Sequence, residues 1–318
     1  VFGSPAFLRL WIAQIVSAFG DWIGFLAIIE IARRIGGDQP GSAIALVMVA
    51  RVLPGFFLAS VGGVIVDRVN RKRLLIGCDI LRALVLLTIP FIERVWALVL
   101  VSLVLELATS LWGPAKEAIV PNLVPKDQLT AANSLSLVAA YGTFPLAAGA
   151  FIGLAKLAEW LGGSAIGQVE WALVLDSVTF LTAACLIATL PLVPRRREEK
   201  KAGPIDLAQG IRELREGWAF IAISPQVRAV LVGLATGMIG GGMLIPLGAV
   251  YNDVILKAGN AGFGTILVTL GLGVSVGVSM LSAMQRRLDK DNGFIAAIFG
   301  AGSCLLFAVS TSNTFWNL

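Results

Sequence analysis

The chain has 318 residues, of which 57% are hydrophobic and 14% charged, with a mean hydropathy of +0.85. Soluble domains carry about 45–50% apolar and about 25% charged residues, so composition excludes a water-soluble globule and points to a polytopic membrane protein. A net charge of +5 and a pI near 9.4 would also suit a nucleic-acid binder, but the cations sit in loops between apolar runs, which is the pattern that orients membrane proteins.

A helix needs about 20 residues to cross roughly 30 Å of hydrocarbon. With that ruler, spans are predicted at 7–31, 42–66, 74–91, 95–115, 131–157 and 171–192, then at 226–250, 262–284 and 293–309. The fold class is therefore an all-α polytopic membrane protein with nine spans. Phe315 and Trp316 are placed to open a tenth, and the chain is expected to be a piece of a longer protein, cut within its second bundle. The domains read as a six-helix bundle over 1–193, a cytoplasmic linker over 194–224 and a partial second bundle over 225–318. No cleavable signal peptide is read at the start, because the first apolar run is long and contains Asp21.

Orientation follows from the cations. With the N-terminus inside, cytoplasmic segments hold eighteen Lys and Arg against five outside, which fixes a cytoplasmic N-terminus under the positive-inside rule. Arg33 and Arg34 are the awkward outside pair, assigned to snorkelling at the interface. The linker opens as PRRREEKK, a solvated charge run. Asp206 and Gln209 are then spaced like a capping box, and Leu207, Ile211, Leu214, Trp218 and Ile221 form one stripe. That stripe predicts an amphipathic helix on the cytoplasmic membrane surface.

The stretch 62–73, GGVIVDRVNRKR, sits between the second and third spans and holds four cations in six residues: Arg68, Arg71, Lys72 and Arg73. Its spacing Gly63-x-x-x-Asp67-Arg68-x-x-Arg71-Lys72 resembles the signature loop of major facilitator superfamily transporters. Asn70 stands where that family usually has Gly, a mild change for a left-handed backbone position. QIVSAFGDWIG (14–24) and PAKEAIVPNLVPKDQLTAANSL (114–135) resemble the branch of bacterial permeases that includes enterobactin exporters and macrolide efflux pumps. So does the 246–277 region with Pro246, Tyr251, Asp253, Gly262-Phe263-Gly264, Gly271, Gly273 and Gly277. The resemblance implies two six-helix bundles that alternate access to a central site, in a bacterial inner membrane. It also implies that Asp67 latches the outward-open state against the start of an eleventh helix, which by this span count lies past Leu318. The family's arginine motif in the fourth span is missing, with Glu106 on that helix instead. Its Gly-Pro-x-x-Gly-Gly pattern in the fifth span survives only as Phe144-Pro145-Leu146-Ala147-Ala148-Gly149.

Ionisable side chains within a span cost on the order of 2.5–3.5 kcal/mol each on insertion scales and need a partner or a wet cavity. Asp21, Arg51 and Glu106 share one depth on the first, second and fourth spans. Asp21 and Glu106 are the candidate proton-binding carboxylates, with Arg51 tuning them, and a static Asp21–Arg51 pair locking two helices is the plainer alternative. Trp22, deep beside Asp21, is a candidate substrate contact, whereas the other tryptophans read as interfacial anchors. Asp79 and Arg82, three apart on one face, are expected to complete the ion-pair network of the basic loop. Glu30 and Asp176 are placed in the outer third and left out of the site.

Histidine is absent, so proton chemistry falls to carboxylates. Cys78, Cys185 and Cys304 have no metal spacing and read as small hydrophobes. No cofactor is expected, and no nucleotide-binding or catalytic motif is present. The function read from the sequence is a secondary transporter exporting an amphipathic, drug- or siderophore-like small molecule by proton-coupled antiport. A lysophospholipid flippase is the alternative, and a membrane-embedded enzyme the third reading. The partners are the substrate, protons and the lipid bilayer, with no nucleic acid and no nucleotide.

Overall fold

The computed structural model describes residues 3–160, 165–191 and 207–225, with a few positions between 227 and 251. The predicted spans at 226–250, 262–284 and 293–309 lie outside the described residues, apart from those few positions, as does the second bundle they would form.

The first helix, α1, runs Pro5–Ile35, 31 residues or about 46 Å of rise. Ser4 starts it by accepting a hydrogen bond from the Phe7 amide at 3.2 Å, with Pro5 in the first turn, where a missing N–H costs nothing. It ends at Gly36, and Gly37 turns the chain with φ of 55°, a conformation that favours glycine. Next come α2 (Pro40–Arg68), α3 (Arg71–Leu86) with a 3-10 turn at Ile89–Phe91, and α4 (Val95–Ile119). Asn70 is the N-cap of α3: its side-chain oxygen accepts from the Arg73 amide at 3.1 Å. Its φ is −70°, so the left-handed role expected for it is corrected to a helix cap.

The predicted fifth span is two helices, α5 (Leu129–Tyr141) and α6 (Phe144–Trp160). The break falls where Gly142 caps α5 and Pro145, lacking an N–H, leaves no donor for the Tyr141 carbonyl. The sixth span is α7 (Ala165–Ala188), and the linker helix is α8 (Leu207–Ile223), where the apolar stripe placed it. Among the described residues, five stretches are long and apolar enough to cross a membrane: Pro5–Ile35, Arg71–Phe91, Val95–Asn122, Ala131–Leu154 and Val169–Ala188. Pro40–Gly55 in α2 adds a shorter one.

α1 packs chiefly on α7, α2 on α4, and α3 on both α4 and α7, with α5 and α6 covering α1. The apolar core forms two clusters at opposite ends of this bundle. One joins Ile23–Ala32 of α1 with Ile44, Val47, Leu86, Leu98, Ala172 and Leu173. The other joins Phe7, Leu10 and Ala13 with Leu75, Trp112, Ala115, Ala183 and Ile187. Between them, on α1, α2, α3, α4 and α7, sit polar residues: Ser17, Asp21, Arg51, Asp79, Arg82, Glu106, Asp176 and Thr179. The bundle is thus apolar, polar and apolar along its length, with its costliest groups at mid-span.

Candidate functional site: a charged layer at mid-span

Asp21 and Arg51 meet, as their shared depth predicts. Arg51 Nη2 donates to Asp21 Oδ1 at 3.0 Å, and the side chains are 10% and 34% exposed for Arg51 and Asp21 respectively. Its guanidinium also lies 5.3 Å from the centre of the Phe25 ring, one turn along α1. Arg51 interacts electrostatically with Glu106 of α4 and with Asp176 of α7 as well as with Asp21. One cation therefore faces three carboxylates from three helices. Its direct bond goes to Asp21; Asp21 and Glu106 are both half-buried, whereas Asp176 is buried.

Asp176 is brought into this layer although the sequence reading set it in the outer third. The reading started the span at residue 171, but α7 begins at Ala165, which puts Asp176 halfway along the helix. Its side chain, 1% exposed, lies against Gly20 and Gly24 of α1. A Cβ on Gly24 would run into the Asp176 carboxylate, and one on Gly20 would come within 2.6 Å of Asp176 Oδ1 and collide with Thr179. The sequence signal was the Gly20-x-x-x-Gly24 spacing, the small-residue pattern that lets membrane helices approach closely.

Trp22 is turned toward the break in the fifth span. Its indole N–H donates to the Ala140 carbonyl at 2.8 Å, and its ring meets Phe144 edge-on at 4.7 Å. Two more α1 side chains do the same: Trp11 donates to the Leu135 carbonyl and Gln14 to Ser136, each at 2.9 Å. Lys116 of α4, buried, reaches Gln14 Oε1 at 3.5 Å.

Asp79 and Arg82 form an ion pair with each other, 0% and 5% exposed in their side chains. The other partners come from α4 and α7. Trp112 Nε1 donates to Asp79 Oδ2 at 3.3 Å, Arg82 donates to Thr109 Oγ1 at 3.4 Å, and the Phe180 ring lies 4.1 Å below the guanidinium. Arg82 Nε has no hydrogen-bond partner among the described residues, and the two aromatic faces around the guanidinium supply part of what it lacks.

In the basic loop, Gly63, Asp67 and Arg68 fall in the last two turns of α2, and their side chains lie outside the described ones. Arg71 donates to the Ala118 carbonyl at 3.2 Å. Lys72 donates to those of Ala188 and Leu190 at 2.7 and 2.6 Å, and Arg9 to Thr189 at 3.1 Å. These are carbonyls at the C-terminal ends of α4 and α7, where helices lack amide partners and the dipole favours cations. Glu30 pairs with Arg33 at 2.8 Å and Arg34 at 3.6 Å, which gives the awkward outside arginines a local partner.

The family model for transmembrane secretion effectors matches residues 2–318. An MFS-type transporter of Bacillus subtilis, YkuC, is 23% identical over 99% of this chain and 73% of its own length. Macrolide efflux protein A of Streptococcus pyogenes is 34% identical over 39% of this chain and 31% of its own. Among solved structures, a bacterial homologue of the human lysosomal transporter Spinster, inward-facing and unoccupied, superposes with a TM-score of 0.64. That superposition is at 15% identity and covers 96% of this chain and 74% of that one. These matches settle the family: the chain belongs to the transmembrane secretion effectors, transporters of the major facilitator superfamily.

Proposed function

We propose that this chain belongs to a proton-coupled exporter of an amphipathic small molecule, drug- or siderophore-like, working by alternating access with its N-terminus in the cytoplasm. The observation that carries the reading is the Asp21–Arg51 pair. A carboxylate one-third exposed and a nearly buried arginine meet at 3.0 Å in the middle of two spans. Charged groups at that depth are expensive and mark ion or substrate pathways. Asp21 and Glu106 take and release protons, and Arg51 balances whichever is ionised. The efflux function carried in the name of macrolide efflux protein A supports export and a bulky substrate. Asp67 and the loop cations serve the cytoplasmic gate.

The test uses the complete protein in proteoliposomes with an imposed proton gradient and a radiolabelled macrolide. Asp21→Asn or Glu106→Gln is expected to lower gradient-driven transport at least tenfold while the protein still inserts. Wild-type rates in both variants would remove the carboxylates from the mechanism. Movement of a labelled lysophospholipid in place of the macrolide would favour the flippase reading.

A further inference from the structure

Asp176, like Glu106, makes no ion pair among the described residues, and it is the more deeply buried of the two. It is 1% exposed. Its side-chain hydrogen bond is a 3.4 Å contact with Thr179 Oγ1. That hydroxyl has a single proton, which a shorter bond of 2.7 Å directs to the backbone carbonyl of Asp176. With that proton committed to the nearer carbonyl, Thr179 gives the carboxylate only a long, shared hydrogen bond at 3.4 Å. The backbone of α1 at Gly20 and Gly24 lies against the other side of the carboxyl, so close that a Cβ on Gly24 would collide with Asp176 Oδ2. An anion with so weak a donor and no ion-pair partner is expensive in such a place, and the neutral acid costs less.

The charged groups facing Asp176 are Asp21 from α1, Arg82 from α3 and Arg51 from α2. α6 brings none among the side chains described. Arg82 is already bound to Asp79, and Arg51 to Asp21. We propose that Asp176 is a proton-binding site built into the α1–α7 contact, alternating with Asp21 for the charge of Arg51. While Arg51 holds Asp21, Asp176 keeps its proton. When Asp21 takes a proton from water at its exposed side, an O–H bond forms there and Arg51 swings to Asp176, whose own O–H bond breaks and whose proton leaves to water. One proton is taken up and one released, so the layer returns to its starting net charge. The inference rests on the coupled-export reading for its role, but not for its test.

Infrared spectroscopy of the complete protein in liposomes reads the site without any substrate, so a failed export assay does not touch it. Wild type is expected to show the C=O band of a protonated carboxyl at neutral pH, and Asp176→Asn to lose it. Asp21→Asn frees Arg51 and is expected to weaken the band by half or more. A band unchanged in Asp176→Asn overturns the site, and a band unchanged in Asp21→Asn overturns the alternation. Should the Asn variant fail to insert, Asp176→Ser, smaller at the same contact, gives the same reading.

Discussion

Arg82 has a different job from Arg51, although both are arginines buried in a span. Arg82 is enclosed by Asp79, Thr109, Trp112 and Phe180, so its contacts hold α3 against α4 and α7. Removing one partner of a buried pair typically costs about 3–5 kcal/mol, because the other charge is left unpaired. Asp79→Asn and Arg82→Leu are each expected to lose about that much in unfolding experiments in detergent, and the double variant less than the sum. Additive losses would show that the pair is not a unit. Arg51, by contrast, sits with a partner that is 34% exposed, so Arg51→Leu is expected to cost less stability and more transport.

The contact between α1 and α7 is set by what Gly20 and Gly24 lack. A Cβ at position 24 meets the Asp176 carboxylate, so Gly24→Ala is an overpacking change, of which about 1–3 kcal/mol is typical. Trimming the opposite side in Gly24→Ala with Asp176→Ala is expected to recover much of that loss, which a double-mutant cycle on unfolding would measure. No recovery would mean that the two helices are held apart by something else. The α5–α6 break is a second element whose geometry has a specific support. Trp22 donates to the Ala140 carbonyl just before it and packs on Phe144 just after it. Trp22 therefore steadies the bend, and a substrate-stacking role would require it to let go of Ala140.

At the scale of the whole molecule, the five membrane-length stretches among the described residues and the shorter one in α2 were legible, because runs of apolar residues at bilayer length leave few alternatives. The Asp21–Arg51 pairing was legible too, since two charges at one depth on neighbouring spans have few other ways to be satisfied. Asp176 was not, because its place depended on where α7 begins, and Ala165–Glu170 reads as loop by hydropathy but extends the helix by nearly two turns. The break at Gly142 was hidden by an unbroken apolar run, in which Pro145 was the clue. Lys72 and Arg71 read as topology markers, yet each also caps the end of another helix, a role that only the assembled bundle reveals. The proposed orientation has its own check. A single cysteine replacing Arg73, in a background without native cysteines, is expected to react with an impermeant maleimide only after the cell membrane is opened, and labelling of intact cells would invert the topology. The central claim is that the mid-span charged layer ties proton movement to export. The most direct measurement is the pH change inside proteoliposomes, read by a trapped dye, when a transported compound is added to wild type and to Asp21→Asn. Proton movement is expected in wild type and none in the variant, with exchange of the compound across the membrane retained; equal proton movement in both would contradict coupling through Asp21.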